Sequence, residues 1–283
     1  MVKLRNHERE FEFLVGADPE FFVGRDGVAV SAHGLIQGDK KNPQKVGFGA
    51  VQVDGMALEF NIDPAKGAAG FVRNLDVVMA TILKMVPGYE YLDTPVADFG
   101  AEYIQAQPEQ AKMLGCEPDY NAYTMAVNPT PQADTPFRTA SGHVHIGWTD
   151  DVDPLDPDHF SACAKLARML DYTLGIPSLI WDADARRREL YGKAGAFRPK
   201  KYGMEYRTLS NKWLSPKMTF LRPYIFEQTI DAVKRLFENE DADKTLAMGK
   251  TAAEIINSND KLTAANFIHM SKDLPPPNKW KVA

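Results

Sequence analysis

The chain has 283 residues, enough for one large domain or two small ones, and its 44% hydrophobic and 25% charged content is that of a globular protein rather than a disordered one. The net charge of −5 argues against a nucleic-acid partner, and the basic runs Lys40-Lys41, Arg186-Arg187-Arg188 and Lys200-Lys201 are too short and scattered to reverse that. The two cysteines, Cys116 and Cys163, form no disulfide framework, so a reducing cytoplasm is the expected compartment. The N-terminal segment has no apolar stretch of the signal-peptide kind, and no apolar run approaches the length of a membrane span.

In chain order, Phe11 to Val15 reads as a strand, broken at Asp18-Pro19 and resumed from Glu20 to Val23. Arg25-Asp26-Gly27 is a turn into a short strand, Val28 to Val30. Lys40 to Gly49 is polar and contains Gly and Pro, so it reads as a loop able to act as a lid. Val51 to Val53, the turn Asp54-Gly55 and Ala57 to Ile62 read as a hairpin. Ala68 to Val86 is a helix, with Phe71, Leu75, Val78, Ile82 and Met85 on one stripe, stopped by Pro87-Gly88. A short helix is expected at Pro108 to Leu114, and loops at Gly115 to Tyr120 and Thr130 to Thr139.

Gly142 to Trp148 alternates as a strand. Asp156 to Leu174 carries a helical stripe of Phe160, Cys163, Leu166, Leu170 and Leu174. Ala183 to Tyr191 is basic and ambiguous. Tyr202 to Ser210 is a strand, Thr219 to Phe237 and Lys244 to Asn257 are helices, and the tail from Leu274 to Lys281 is extended. Strands in bursts with helices between them predict α+β with a mainly antiparallel sheet. One domain is expected over 1–283, with its motifs in 11–215 and a helical segment in 216–283.

Four of the strands place polar groups at i and i+2: Asp18 and Glu20, Glu59 and Asn61, His143 and His145, Glu205 and Arg207. Such pairs share one face of a strand. One carboxylate on a strand is ordinarily just solvated. Several on one sheet point to a face that holds cations, because crowded carboxylates repel and raise one another's pKa until a cation intervenes. Oxygen ligands of this kind suit Mg2+ or Mn2+ better than zinc. His143 and His145 lack the Cys or His companions of a structural zinc site, which leaves a phosphate contact, a single metal bond or plain surface histidines. Arg187, Arg188, Arg198 and Arg207 supply guanidinium groups that match phosphate or carboxylate oxygens, although part of the 186–188 run reads as a solvated charge run. There is no phosphate loop, dinucleotide fingerprint or nucleophile elbow. Cys116 reads as an ordinary small thiol rather than a nucleophile.

In this order, Gly16-Ala-Asp-Pro-Glu-Phe-Phe22, Asp54-Gly-Met-Ala-Leu-Glu-Phe-Asn61, Gly115-Cys-Glu-Pro-Asp119, Ser141-Gly-His-Val-His-Ile-Gly147, Tyr191-Gly-Lys-Ala-Gly-Ala-Phe-Arg198 and Tyr202 to Asn211 resemble the carboxylate–amine ligase superfamily. That superfamily includes glutamine synthetase and glutamate–cysteine ligase, and the resemblance is greatest to its phage-type amidoligase (COOH–NH2 ligase) branch. It implies a glutamine synthetase-like core, a curved antiparallel sheet with helices on its outer face. It further implies ATP and Mg2+ (or Mn2+) as cofactors, with Glu20, Glu59 and Glu205 as metal ligands and Asp18 in support. His143 and His145 are then expected at nucleotide phosphate or metal, and Arg188, Arg198 and Arg207 at the transferring phosphate. Asp54 or Asp119 is expected to take the amine's proton. The implied partners are ATP, a carboxylate and an amine, in the cytoplasm of the cell or of a phage's host. Two other readings are an inactive phage structural or interaction protein of the same fold, and a guanidino-kinase-like phosphotransferase. The chain is shorter than the larger relatives and has fewer acidic residues, which leaves the number of metals open.

Overall fold

The computed structural model describes residues 13–112, 119–129, 135–182, 184–237 and 251–270. Its strands are β1 (Leu14–Ala17), β2 (Glu20–Arg25), β3 (Val28–Val30), β4 (Gln44–Val46), β5 (Gly49–Asp54), β6 (Ala57–Ile62), β7 (Glu90–Leu92), β8 (Val96–Asp98), β9 (Tyr120–Asn121), β10 (Phe137–Thr139), β11 (Val144–Gly147), β12 (Ala196–Lys200) and β13 (Gly203–Tyr206). Its helices are α1 (Ala68–Met85), α2 (Ala101–Gln105), α3 (Glu109–Lys112), α4 (Pro157–Leu170), α5 (Ile176–Trp181), α6 (Arg187–Leu190), α7 (Leu221–Phe237), α8 (Ala252–Asn257) and α9 (Lys261–Met270). The fold is α+β, and the strand pairs are antiparallel, as the strand bursts predict.

One sheet has the order β1-β11-β13-β12-β9 and another the order β3-β2-β6-β5-β4. The break at Asp18-Pro19 is where the chain passes from the first to the second. Backbone hydrogen bonds continue across that passage. Val15 exchanges bonds with Ala65 at 3.0 and 2.9 Å, beyond the end of β6, and Glu20 N–H donates to Ser141 O at 2.8 Å, ahead of β11. The two sheets are therefore joined along the β1–β2 segment, with the β11–β13–β12 strands on one side and the β6–β5 hairpin on the other.

Alternation divides the faces. Val15, Phe21, Leu58, Phe60, Val144, Ile146, Met204 and Tyr206 are buried in one apolar core. That core continues into α1, which packs on β5 and β6, into α4, which packs on β12 and β13, and into α7, which packs against both helices. The α1 stripe is the expected one, with Phe71, Leu75, Val78 and Ile82 buried. Asp156 caps α4 by accepting from the Asp158 and His159 amides, and Pro157 fills the first helical position, where no amide is needed.

Several boundaries differ from the sequence expectation. Lys40 to Gly49 is not all loop, because Gln44–Val46 pairs with Gly49–Val51 as the β4–β5 hairpin. The helix expected to end at Leu174 runs on through a π-helical turn, Asp171–Gly175, into α5. The carboxylate of Asp171 explains that turn. It is buried and accepts hydrogen bonds from Tyr206 Oη at 2.6 Å, Tyr123 Oη at 2.9 Å and Thr208 Oγ1 at 3.3 Å. Of the helix expected from Lys244, the part from Ala252 is seen. Residues 244–250, Phe11, Cys116 with most of its loop, residues 130–134, Ala183 and the tail from Leu274 lie outside the described residues. Among the described residues no helix is long and apolar enough to cross a membrane.

Candidate active site

The polar face of the joined sheets bounds a cavity of about 430 Å³. That size lies within the range of small-ligand sites. Asp18, Glu20, Asp54, Glu59, His143, Arg198 and Arg207 line it, together with Lys40, Gln52, Arg138, Ser141 and Tyr191. Register explains the convergence. Arg198 is the cross-strand partner of Glu205, and Glu205 is the partner of His145, which forms one transverse row. Gln52 is opposite Glu59, and Glu59 is opposite Glu20, which forms a second. Asp18 and Glu20 stand at the junction of the two rows.

The carboxylates fall into two groups rather than one. Ligand atoms of Asp18, His145 and Glu205 lie within 4.8 Å of one another, and so do those of Glu20, Asp54 and Glu59. In the first group, Glu205 has no exposed side-chain surface, and Arg198 and Lys200 reach its Oε2 at 3.1 and 3.2 Å. Its Oε1 meets His143 Nδ1 at 3.2 Å and the Arg207 guanidinium. Burial alone would raise the Glu205 pKa, but Arg207, the two histidines and Arg198 together hold it well below the usual carboxylate range. Asp18 is likewise held low, its burial outweighed mainly by His145. His143 is pushed down to about 4 by burial and then by Arg207, so it is neutral near pH 7. His145 moves the other way: burial disfavours its charge, but Asp18 more than compensates.

Two buried atoms of this group stand out. Asp18 Oδ1 lies 3.0 Å from His145 Nε2 and 3.3 Å from His143 Nδ1, so it bridges the two imidazoles. A carboxylate oxygen and an imidazole nitrogen side by side are also donors suited to a metal ion, which would take the place of their mutual contact. His145 Nδ1 is meanwhile fixed by the Tyr202 hydroxyl.

The second group has less positive charge around it than the first. Its ionic contact is Lys40 Nζ to Asp54 Oδ2 at 2.8 Å. Glu20 Oε2 accepts from Ser141 N–H at 2.9 Å, and Glu59 Oε2 accepts from Gln52 Nε2 at 2.8 Å. Burial and then Asp54 push Glu20 up to about 7, and burial followed by Asp18 pushes Glu59 well above its ordinary value. This is the signature of three carboxylates crowded together with one ammonium among them.

Arg207 is fixed from two sides, by Glu205 and by Asp119 Oδ2 at 3.2 Å. Arg188 is not brought to the cavity. Its Nη1 faces Asn259 Oδ1 at 3.4 Å, beyond α8, so α6 turns it away from the phosphate role expected of it. Arg187, its neighbour, is buried and donates to Thr208 O at 2.8 Å, Arg207 O at 3.3 Å and Ser141 Oγ at 3.2 Å. It braces the backbone that carries Arg207 and Ser141. Only glycine fits at 192, where φ is +74° and a Cβ would lie 1.7 Å from Arg187 Nη1. Asp54, expected as a proton acceptor, stands among the crowded carboxylates. Asn61 does not line the cavity.

Sequence reasoning left out Lys40, Lys200 and Gln52. Gln52 was within reach, because closing the hairpin tightly after Asp54 puts Gln52 opposite Glu59. Lys200 is two residues beyond Arg198 and shares its face of β12.

One sheet face thus carries two groups of carboxylates, one with a histidine, beside the half-buried Arg198 and Arg207. Residues 139–241 match the family model described as phage phiEco32-like COOH-NH2 ligase-type 2. Over that stretch the chain is similar to the phage-type ligases, in agreement with the resemblance carried by the motifs that lie within it. The matched stretch contains His143, His145, Arg198, Glu205 and Arg207, while Asp18, Glu20, Asp54 and Glu59 precede it. No curated protein matches the chain.

Proposed function

We propose that this chain is an ATP-dependent carboxylate–amine ligase with a glutamine synthetase-like core. The observation that carries the reading is the presence of two ligand groups, Glu20/Asp54/Glu59 lining the cavity and Asp18/His145/Glu205 reaching it through Asp18, beside Arg198 and Arg207. These groups would each hold a Mg2+ or Mn2+ ion. The fit rests on the convergence of the Asp18, His145 and Glu205 ligand atoms and on the hard oxygen donors of the second group. When bound, the ions would screen phosphate from carboxylate and stabilise charge developing on the transferring phosphoryl group.

The residues divide the remaining work. Arg198 and Arg207 present guanidinium donors where three anions must meet: the cavity carboxylates, the nucleotide phosphates and the substrate carboxylate. Glu205 and Asp119 pre-orient Arg207, so less ordering is needed when phosphate arrives. In the reaction, a substrate carboxylate oxygen attacks the γ-phosphorus of ATP and ADP leaves. An amine then attacks the acyl phosphate carbon, inorganic phosphate leaves, and a cavity carboxylate takes the amine proton. Asp54 and Asp119 are the candidates for that last role. The segment at Lys40 borders the cavity and would keep water from the acyl phosphate.

The test is ADP release by the full chain, with hydroxylamine as a general amine and pools of amino acids, peptides and cell-wall fragments as carboxylates. The reading predicts Mg2+-dependent ADP release with stoichiometric hydroxamate. ADP without hydroxamate but with a stable phosphorylated product would replace it with a phosphotransferase. Absence of both, together with no ATP binding by calorimetry, would leave a non-catalytic member of the fold.

A further inference from the structure

The Glu20/Asp54/Glu59 group already holds one cation, and it belongs to the protein. Lys40 Nζ sits 2.8 Å from Asp54 Oδ2 and lines the same cavity. The approach is built into the chain. Gly38 lies flat on β5, its carbonyl accepting from Val53 N–H at 2.9 Å, and a Cβ there would meet Val51 O at 2.2 Å. Immediately after it, the Asp39 carboxylate accepts from the amides of Lys41 and Asn42, each at 2.8 Å, which turns the chain tightly at Lys40. The ammonium is thus aimed at Asp54 from a segment whose other residues face solvent. Its side chain is 50% exposed, so the contact can exchange at little cost.

A divalent cation bound by Glu20, Asp54 and Glu59 would contest the oxygen that Lys40 occupies. The freed ammonium would remain at the cavity, on a flexible stem, beside an anionic ligand. We propose that Lys40 is a displaceable counter-ion of the second ligand group, which a divalent cation releases to bind the phosphate chain of the nucleotide. This rests on the reading of the cavity as a metal and ATP site.

The test compares the wild-type chain with Lys40→Met and Lys40→Arg, titrating Mn2+ by calorimetry with electron paramagnetic resonance as a second readout. Lys40→Met removes a competing charge, so one Mn2+ should bind about 3- to 5-fold tighter. Lys40→Arg keeps the charge and should stay near wild type. With Mn2+ saturating, a non-hydrolysable ATP analogue should bind Lys40→Met about tenfold more weakly, for loss of a charge-assisted hydrogen bond. Unchanged or weaker Mn2+ binding by Lys40→Met overturns the counter-ion role. Unchanged nucleotide affinity overturns the phosphate role. If no variant and not the wild type binds Mn2+, the metal reading of the cavity falls and this proposal with it.

Discussion

Replacing Glu205 by alanine should cost about 3–5 kcal/mol of folding stability, the usual cost of removing one partner of a buried ion network. For a protein of this size that is roughly 10 °C in melting temperature. The side chain has no exposed surface and is touched by Arg198, Lys200, His143 and Arg207. Without it, the cationic groups face one another with no central anion. Glu205→Gln should recover part of the loss by restoring shape and hydrogen bonding but not charge. The sign of the pH dependence follows from the depressed pKa. A carboxylate held low in the folded state stabilises above its unfolded pKa, and that contribution is lost as pH falls toward the folded value. Wild type should therefore lose stability on acidification below about pH 4.5, the ordinary carboxylate value, and Glu205→Gln should lose less. Urea unfolding across that window measures it. Near-wild-type stability of Glu205→Ala would show that Glu205 does not organise these cations.

Glu20→Gln should do the reverse and make the metal-free protein more stable at pH 8, by about 2 kcal/mol. Burial, and then Asp54, raise Glu20 from 4.5 to about 7 in the folded chain. A raised pKa gives stability that is present below the unfolded value and lost as pH climbs through the folded one. Between about pH 4.5 and 7 the wild type should therefore weaken as Glu20 ionises beside Asp54 and Glu59. Glutamine carries no such liability and keeps the carbonyl that accepts from Ser141 N–H. Millimolar Mg2+ should raise the melting temperature of wild type, by linkage, and leave Glu20→Gln much less changed. Scanning calorimetry at two pH values, with and without Mg2+, reads all four states. A destabilised Glu20→Gln at pH 8 would contradict the picture of crowded carboxylates.

Both effects trace to a feature visible in the sequence, the i, i+2 spacing of polar groups on strands. The spacing sets which face each side chain takes, so Glu20, Glu59, His143, His145 and Glu205 could be placed on one polar surface before any pairing was known. The apolar partners confirm the same alternation, with Leu58, Phe60, Val144 and Ile146 in the core. What spacing cannot supply is which strand lies beside which. The division into two ligand groups follows from β1 and β2 belonging to different sheets, with Asp18-Pro19 between them, and that depends on contacts far apart in the chain. Arg188 was misplaced for a similar reason. In a run of three arginines on one short helical turn, successive side chains point some 100° apart, and only long-range contacts, such as that of Arg188 with Asn259, decide where each goes. The π-helical turn at Asp171 depends on Tyr123 and Tyr206, neither of them near it in sequence.

As proposed, two divalent cations and a nucleotide bind at this face of the joined sheets. The direct measurement is anomalous diffraction from crystals of the full chain soaked with Mn2+ and a non-hydrolysable ATP analogue. The account predicts two manganese peaks, one among Asp18, His145 and Glu205 and one among Glu20, Asp54 and Glu59, with phosphate oxygens between them and Arg198 and Arg207 beyond. Nucleotide density elsewhere, or a cavity with no manganese at saturating concentration, would contradict it.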